Sequence, residues 1–330
     1  MMKKVFFAAF VLLIVMGFAA CSNKQVPVST VNLQLQNSVD SLLKQGMGEY
    51  GATEGMAIVV KTSTGNLRAM VGLKENNGKL VSDTTLFSKA RETFLFRSAS
   101  LLAALETGNV SLDDMFDTYT GIDVVGQDTI YDHNWRKGGY GELTLLQGLA
   151  YNSSIAIDKA VDVAYQDKDV FLQKLEQMGL EKDSTFKGSW PLYALGFHHI
   201  KPVNFVSFFN AIANGGKMVS LKSQDSSAIV VDSMIAEKKN IESMKKAFRF
   251  YVTNGLGKKA ESKMVNVAGT SGTIHTDDGI YADFCGYFPV EKPKYTVFVS
   301  YKRPEIPVSG GGMAGQTFRK IAEQIMKTCK

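Results

Sequence analysis

Three strings place a serine three residues before a lysine, the spacing at which an amine can activate a hydroxyl nucleophile for acyl transfer: Ser41 to Lys44, Ser184 to Lys187 and Ser243 to Lys246. A chain this rich in both residues carries roughly two such strings by chance, so spacing alone does not select a site. Ser184-Thr185-Phe186-Lys187 follows Gly179 in what reads as a loop. The 4 histidines include the adjacent pair His198 and His199, which point apart on any regular element. His275 stands beside Asp277 and Asp278, and a polar strand end is the simpler reading than a Ser-His-Asp relay. The 3 cysteines, Cys21, Cys285 and Cys329, are too far apart for a zinc pattern. No metal or other cofactor is expected.

The whole chain is ordinary globular material, with 330 residues, 45% apolar and 21% charged. A net charge of +5 is spread without a basic stripe, so nucleic acid is not an expected partner. Met1 to Ala20 reads as an export signal: Lys3 and Lys4, then an apolar run from Val5 to Met16, then mostly small residues. The run is shorter than the roughly twenty residues a membrane span needs. Phe18-Ala19-Ala20-Cys21 resembles a bacterial lipobox, which implies a lipidated Cys21 at the mature N-terminus and a polar tether from Ser22 to Gln25. Acyl chains would then hold the protein to a membrane, each buried methylene contributing about 0.8 kcal/mol. Secretion after cleavage elsewhere is the alternative. In an oxidising compartment Cys285 and Cys329 could pair, and two buried free thiols are the favoured reading.

Periodicity supplies the positioning elements. Asn32 to Lys44 has helical spacing, and residues 21–44 are read as the lipidated cysteine, tether and first helix, with one domain over 45–330. Gly55 to Val60 and Leu67 to Leu73 form a predicted hairpin about a Thr-Ser-Thr-Gly-Asn turn. Helices are expected at Phe96 to Thr107, Leu143 to Leu149, Ile155 to Tyr165, Val170 to Met178, Val203 to Ala213, Ile241 to Tyr251 and Gln316 to Met326. Strands are expected at Val265 to His275, Ala282 to Pro289 and Tyr295 to Tyr301. Strands at both ends with helices between predict an α+β fold, an antiparallel sheet packed by helices with a helical lobe.

Several segments, in this order, resemble the transpeptidase domain of penicillin-binding proteins, nearest the class B septal type. They are Gly55 to Met70, ending in Thr-Gly-Asn-Leu-Arg-Ala-Met, then Tyr140 to Gln147, Ala194 to Phe197 with Pro202, Asn210 to Lys217, and Phe284 to Pro289 followed by Pro293 to Tyr295. The resemblance implies a β-lactamase-like fold and a site built from three motifs. These are a Ser-x-x-Lys nucleophile pair, a Ser-x-Asn relay, and a Lys-Thr-Gly edge strand that binds the substrate carboxylate. It also implies that Ser184 lies behind the second motif, away from the cleft.

All three motifs are altered. Anchored on Leu102 to Glu106, the first alignment puts Phe94 at the nucleophile and Arg97 at the lysine. Phenylalanine has no nucleophilic atom, and a guanidinium with a pKa above about 12 is no base at neutral pH. Asn152-Ser153-Ser154 stands at the second motif and Thr270-Ser271-Gly272, followed by Thr273, at the third. A nucleophile shifted to Ser98 or Ser100 lacks a lysine three residues on. The expected protein is therefore a lipid-anchored, catalytically inactive relative acting in cell-envelope and peptidoglycan biogenesis. Ser271, Gly272 and Thr273 are candidates for weak non-covalent binding of a peptidoglycan stem peptide or β-lactam. Arg97 either replaces the lost positive charge or is solvated at the cleft edge. Two alternatives stay open: an active transpeptidase or hydrolase with relocated residues, and a pure interaction module for cell-wall synthesis or division proteins.

Overall fold

The structure, a computed structural model, describes residues 29–328. The export signal, Cys21 and Cys329 lie outside the described residues. Helix α1 (Leu33–Tyr50) begins where the Asn32 side chain accepts the Leu35 amide at 2.9 Å and ends at Gly51 in the left-handed region. It runs past Lys44, where the sequence reading ended it, because residues 45–50 still bury a face: Met47 is in the core and Tyr50 meets Tyr301 edge-on at 5.4 Å. Gly46 is required there, since a Cβ at that position would strike the Tyr301 hydroxyl. The first helix is thus part of the domain rather than of a tether.

Strands β1 (Glu54–Lys61), β2 (Asn66–Asn76) and β3 (Lys79–Ser82) form an antiparallel meander. Every residue of β1 except Lys61 is buried, as expected of a strand covered on both faces. A one-turn 3-10 helix (Phe94–Phe96) leads into α2 (Arg97–Glu106), which is buried along its length except at Glu106. A helix buried on all sides belongs in a core, and α2 is the pillar of the helical lobe.

Four short strands follow that periodicity did not reveal: β4 (Met115–Asp117), β5 (Ile122–Val125), β6 (Asp128–Tyr131) and β7 (Glu142–Thr144). The helix expected from Leu143 divides, because β7 pairs with β4 before Thr144 caps α3 (Leu145–Ala150) through a capping box with Gln147. The lobe continues through α4 (Ser154–Ala164), α5 (Lys168–Gln177), α6 (Trp190–Leu195) and α7 (Pro202–Ala213). A hairpin of β8 (Met218–Val219) and β9 (Val230–Asp232) precedes α8 (Lys238–Thr253).

The chain closes with β10 (Ala268–Thr276), β11 (Gly279–Phe288), β12 (Tyr295–Arg303) and α9 (Gly315–Thr328). β10 starts at Ala268 rather than Val265; Val265 and Val267 are buried but lie outside the ladder. The central sheet has the order β10-β11-β12-β1-β2-β3, so the first hairpin and the last three strands meet at β1 and β12. Alternation along β1 sends Met56, Ile58 and Val60 into the lobe core, while Ala57 and Val59 face α1 and α9. The α+β architecture is the one expected. Among the described residues no helix is long and apolar enough to cross a membrane.

Candidate functional site

The foot of α2 is fixed to the sheet by a buried ion pair. Arg91 donates to Asp283 on β11 through Nη1 at 2.9 Å and Nη2 at 2.7 Å, and to Ser300 Oγ on β12 at 3.0 Å. Burial disfavours this guanidinium, yet Asp283 outweighs it and the Arg91 pKa is raised. Thr93 donates to the same carboxylate at 2.8 Å and caps the 3-10 turn by accepting the Leu95 amide. Phe94 therefore has a fixed place at the head of that turn.

Phe94 is half-buried, edge-on to Phe197 at 5.0 Å, with the Arg97 guanidinium 3.8 Å from its ring centre. On β10, Gly272 lies against the turn so closely that a Cβ there would sit 2.9 Å from the Leu95 amide nitrogen and 3.0 Å from the Phe94 carbonyl carbon. The first and third motif positions are thus in direct backbone proximity.

Arg97 is 5% exposed, which rules out the solvated cleft edge as its place. Its Nη1 donates to the Asn152 carbonyl at 2.8 Å, whereas Nε has no hydrogen-bond partner among the described residues. Burial lowers its pKa to about 10, opposed by the charge of Asp132 and the Tyr251 phenol. It remains a cation at neutral pH and cannot accept a proton there.

The second motif joins α3 to α4. Asn152 is left-handed with φ 54° and its side chain donates to the Tyr251 hydroxyl at 3.3 Å. Ser153 is fully buried: it caps α4 by accepting the Ala156 amide at 3.0 Å and donates to Asp132 Oδ2 at 2.7 Å. Both functions of that hydroxyl are spent on the fold, so it relays no proton. Ser154 is buried in the first turn of α4. Burial raises the Asp132 pKa against the hydrogen bonds of Ser153 and the Ile155 and Ser154 amides and the charge of Arg97.

On β10, Thr270 and Ser271 are buried opposite Cys285 and Phe284, and the Ser271 hydroxyl hydrogen-bonds Tyr251 from α8. Thr273 Oγ1 accepts the Gly310 amide at 2.9 Å. The Tyr251 phenol also accepts from Asn152, so Tyr251 ties the loop before α4 to β10. On the rim, Tyr140 stacks on Tyr151 at 5.3 Å, and burial pushes its phenol up to about 12.

Of the nine positions named from sequence, the fold joins Phe94 to Gly272 and Arg97, Arg97 to Asn152, and Asn152 through Tyr251 to Ser271, while Ser153 turns to Asp132 and Thr273 to Gly310. It does not gather the other candidates. Ser184 is exposed in the loop before α6, and Ser41 and Ser243 donate to carbonyls of their own helices, Asn37 and Lys239. Ser100 donates to the Ala194 carbonyl. His275 is exposed at the end of β10, and Asp278 pairs with Lys302 at 2.9 Å and Lys89 at 3.2 Å. Cys285 is a buried free thiol. Among the described residues no group of three His, Cys, Asp or Glu side chains is placed to hold a metal. Sequence reasoning missed Asp132, Tyr251 and the Arg91–Asp283 pair. Tyr251 occupies an apolar helical position and reads as core, and the partners of the other two are remote in sequence.

Residues 55–326 match the family model described as the penicillin binding protein transpeptidase domain. Among solved structures, a peptidoglycan glycosyltransferase from Burkholderia ambifaria superposes with a TM-score of 0.78 at 19% identity, covering 92% of this chain and 98% of that one. The apo transpeptidase domain of Burkholderia pseudomallei penicillin-binding protein 3 gives 0.78 at 18% identity, covering 94% and 98%. The transpeptidase domain of the FtsI4 D,D-transpeptidase from Legionella pneumophila gives 0.68 at 20% identity, covering 92% and 100%. At these identities the superpositions speak for the fold, while the family match spans most of the sequence; on that match, this chain belongs to the penicillin-binding-protein transpeptidase domain family.

Proposed function

We propose that the protein is a lipid-anchored pseudoenzyme of this family, acting by non-covalent contact in peptidoglycan and cell-envelope biogenesis. Acyl transfer needs a nucleophile and a neighbouring group that takes its proton. The observation that carries the reading is Phe94 at the head of the turn below α2, packed against Gly272 and covered by a guanidinium that stays protonated. Ser153, the remaining hydroxyl of the second motif, is committed to Asp132 and the cap of α4. Among the described residues at the motif positions, no hydroxyl is paired with a base. What remains is a cation with incomplete partners, Arg97, linked through Asn152 and Tyr251 to the Ser271 hydroxyl on an edge strand. That combination favours weak capture of a peptide carboxylate, as in a stem peptide, and the partner class is the cell-wall synthesis or division machinery.

Fluorescent β-lactam labelling of the purified protein tests the reading: no covalent band is expected, and a stoichiometric one would overturn it. The anchor has its own test. Palmitate incorporation in cells is expected to disappear with Cys21→Ala, and a protein that never takes up label is not lipidated.

A further inference from the structure

The point at which the chain joins the domain fixes which face looks toward an anchor. Ser29 bridges Gln224, Thr30 donates its amide to the Ser223 carbonyl at 2.9 Å, and its hydroxyl donates to the Leu67 carbonyl at 2.8 Å. The first described residue is therefore pinned beside the segment that connects β8 to β9. Eight peptide steps separate Ser29 from Cys21, a span of at most about 29 Å. Four peptide steps separate Gln224 from Ser220, at most about 14 Å, and Ser220 donates its amide to the Ile229 carbonyl at 2.9 Å.

That hairpin has an unusual surface. Ile229, Val230 and Val231 are 57%, 47% and 57% exposed in consecutive positions, and Met234 follows at 46%. Leu33, four residues after Ser29, is 76% exposed. Met218 and Val219 of β8 are buried against the body, and the ladder is irregular, Met218 pairing with Asp232 and Val219 with Val230, so the exposed apolar run is carried by β9 and the residue before it. The run lies beside the point where the chain leaves toward Cys21, so a surface holding an acyl anchor is within its reach.

We propose that the β8–β9 hairpin is a membrane-contact element, inserting Ile229, Val230 and Val231 into the interface of the bilayer that holds the acyl chains of Cys21. The proposal rests on the lipid-anchor reading above. It needs little intrinsic affinity, because a short tether holds the hairpin at an effective concentration on the order of millimolar relative to the surface. Side chains of this kind settle about 5–10 Å into the headgroup and acyl boundary. Insertion there orients the domain, with Ser29 and Leu33 toward the bilayer, instead of leaving it to tumble on its tether.

The test uses the full-length lipidated protein in phosphatidylcholine vesicles. An environment-sensitive fluorophore is placed at Val230→Cys, or at Val124→Cys on the β5–β6 hairpin, which is 68% exposed and serves as the control. Both carry Cys329→Ser; Cys285 is buried. The expected result is several-fold stronger quenching by brominated lipid at position 230 than at 124, lost with Ile229→Ser plus Val231→Ser while the protein still floats with the vesicles. Equal, weak quenching at both positions on floating protein overturns the proposal and leaves the anchor intact. Protein that neither incorporates palmitate nor floats overturns the anchor and this proposal with it.

Discussion

Arg91 and Arg97 lie six residues apart, on either side of Phe94, and both are buried, at 8% and 5% exposure. Their surroundings differ. Arg91 meets Asp283 in a two-pronged ion pair, its Nη1 also donating to the Glu92 carbonyl and its Nη2 to Ser300, with Tyr281 under its plane at 4.3 Å. That geometry is the strong form of the contact. Arg97 has one carbonyl, one aromatic face and the more distant field of Asp132. Burial therefore prevails at Arg97 and lowers its pKa, while at Arg91 the partner prevails and raises it. The arginine that places the head of α2 against the sheet has partners on both terminal nitrogens, whereas Arg97 holds a charge compensated only in part.

That contrast can be broken by mutation. Arg91→Met leaves Asp283 buried at 1% exposure with its main partner gone, and should cost about 3–5 kcal/mol in urea denaturation. A loss below about 1 kcal/mol would remove the distinction between the two arginines. Asp158 on α4 extends the comparison to a carboxylate without an arginine. Burial, followed by the charges of Asp162 and Asp123, raises its pKa from 3.8 to about 7. The fold thus favours the protonated acid: its contribution is complete below about pH 4 and is lost as pH rises toward 7. Asp158→Asn should flatten that slope and stabilise the protein at pH 8 by up to about 4 kcal/mol, as read from urea midpoints at pH 5 and pH 8.

Smaller effects sharpen the picture of the cleft. Gly272→Ala puts a methyl group against backbone atoms of Phe94 and Leu95 that have little freedom to move. It should cost about 1–3 kcal/mol in a thermal melt, as overpacking does. Arg97→Met removes a partly compensated buried charge and should change stability by about 1 kcal/mol or less, in either direction. If it proves as damaging as Arg91→Met, Arg97 is a structural clamp and its place in a binding site loses support.

The sheet was readable because its strands are continuous apolar runs with turn residues between them, as in Gly55 to Val60 and Tyr295 to Tyr301. Proximity within the cleft was readable only through the order of the motifs. The partners that define its chemistry were not. Tyr251 sits on the buried face of α8 and its hydroxyl acquires meaning only when β10 brings Ser271 to it. Asp132 follows a short hairpin and reaches the start of α4 across residues distant in sequence. Gly46 and Gly48 weaken the helical pattern after Lys44, so the last turn of α1 was lost although Tyr301 requires Gly46. Local periodicity registers burial; it does not register which buried hydroxyl faces which.

The central claim is that the cleft holds no group able to form an acyl bond. Intact-mass spectrometry after incubation with excess penicillin-type β-lactam addresses it directly, for the wild-type protein and for Phe94→Ser. The account predicts unchanged mass for both, since a hydroxyl restored beside Arg97 still has no base to take its proton. A stoichiometric gain of one β-lactam mass on the wild-type protein would contradict it.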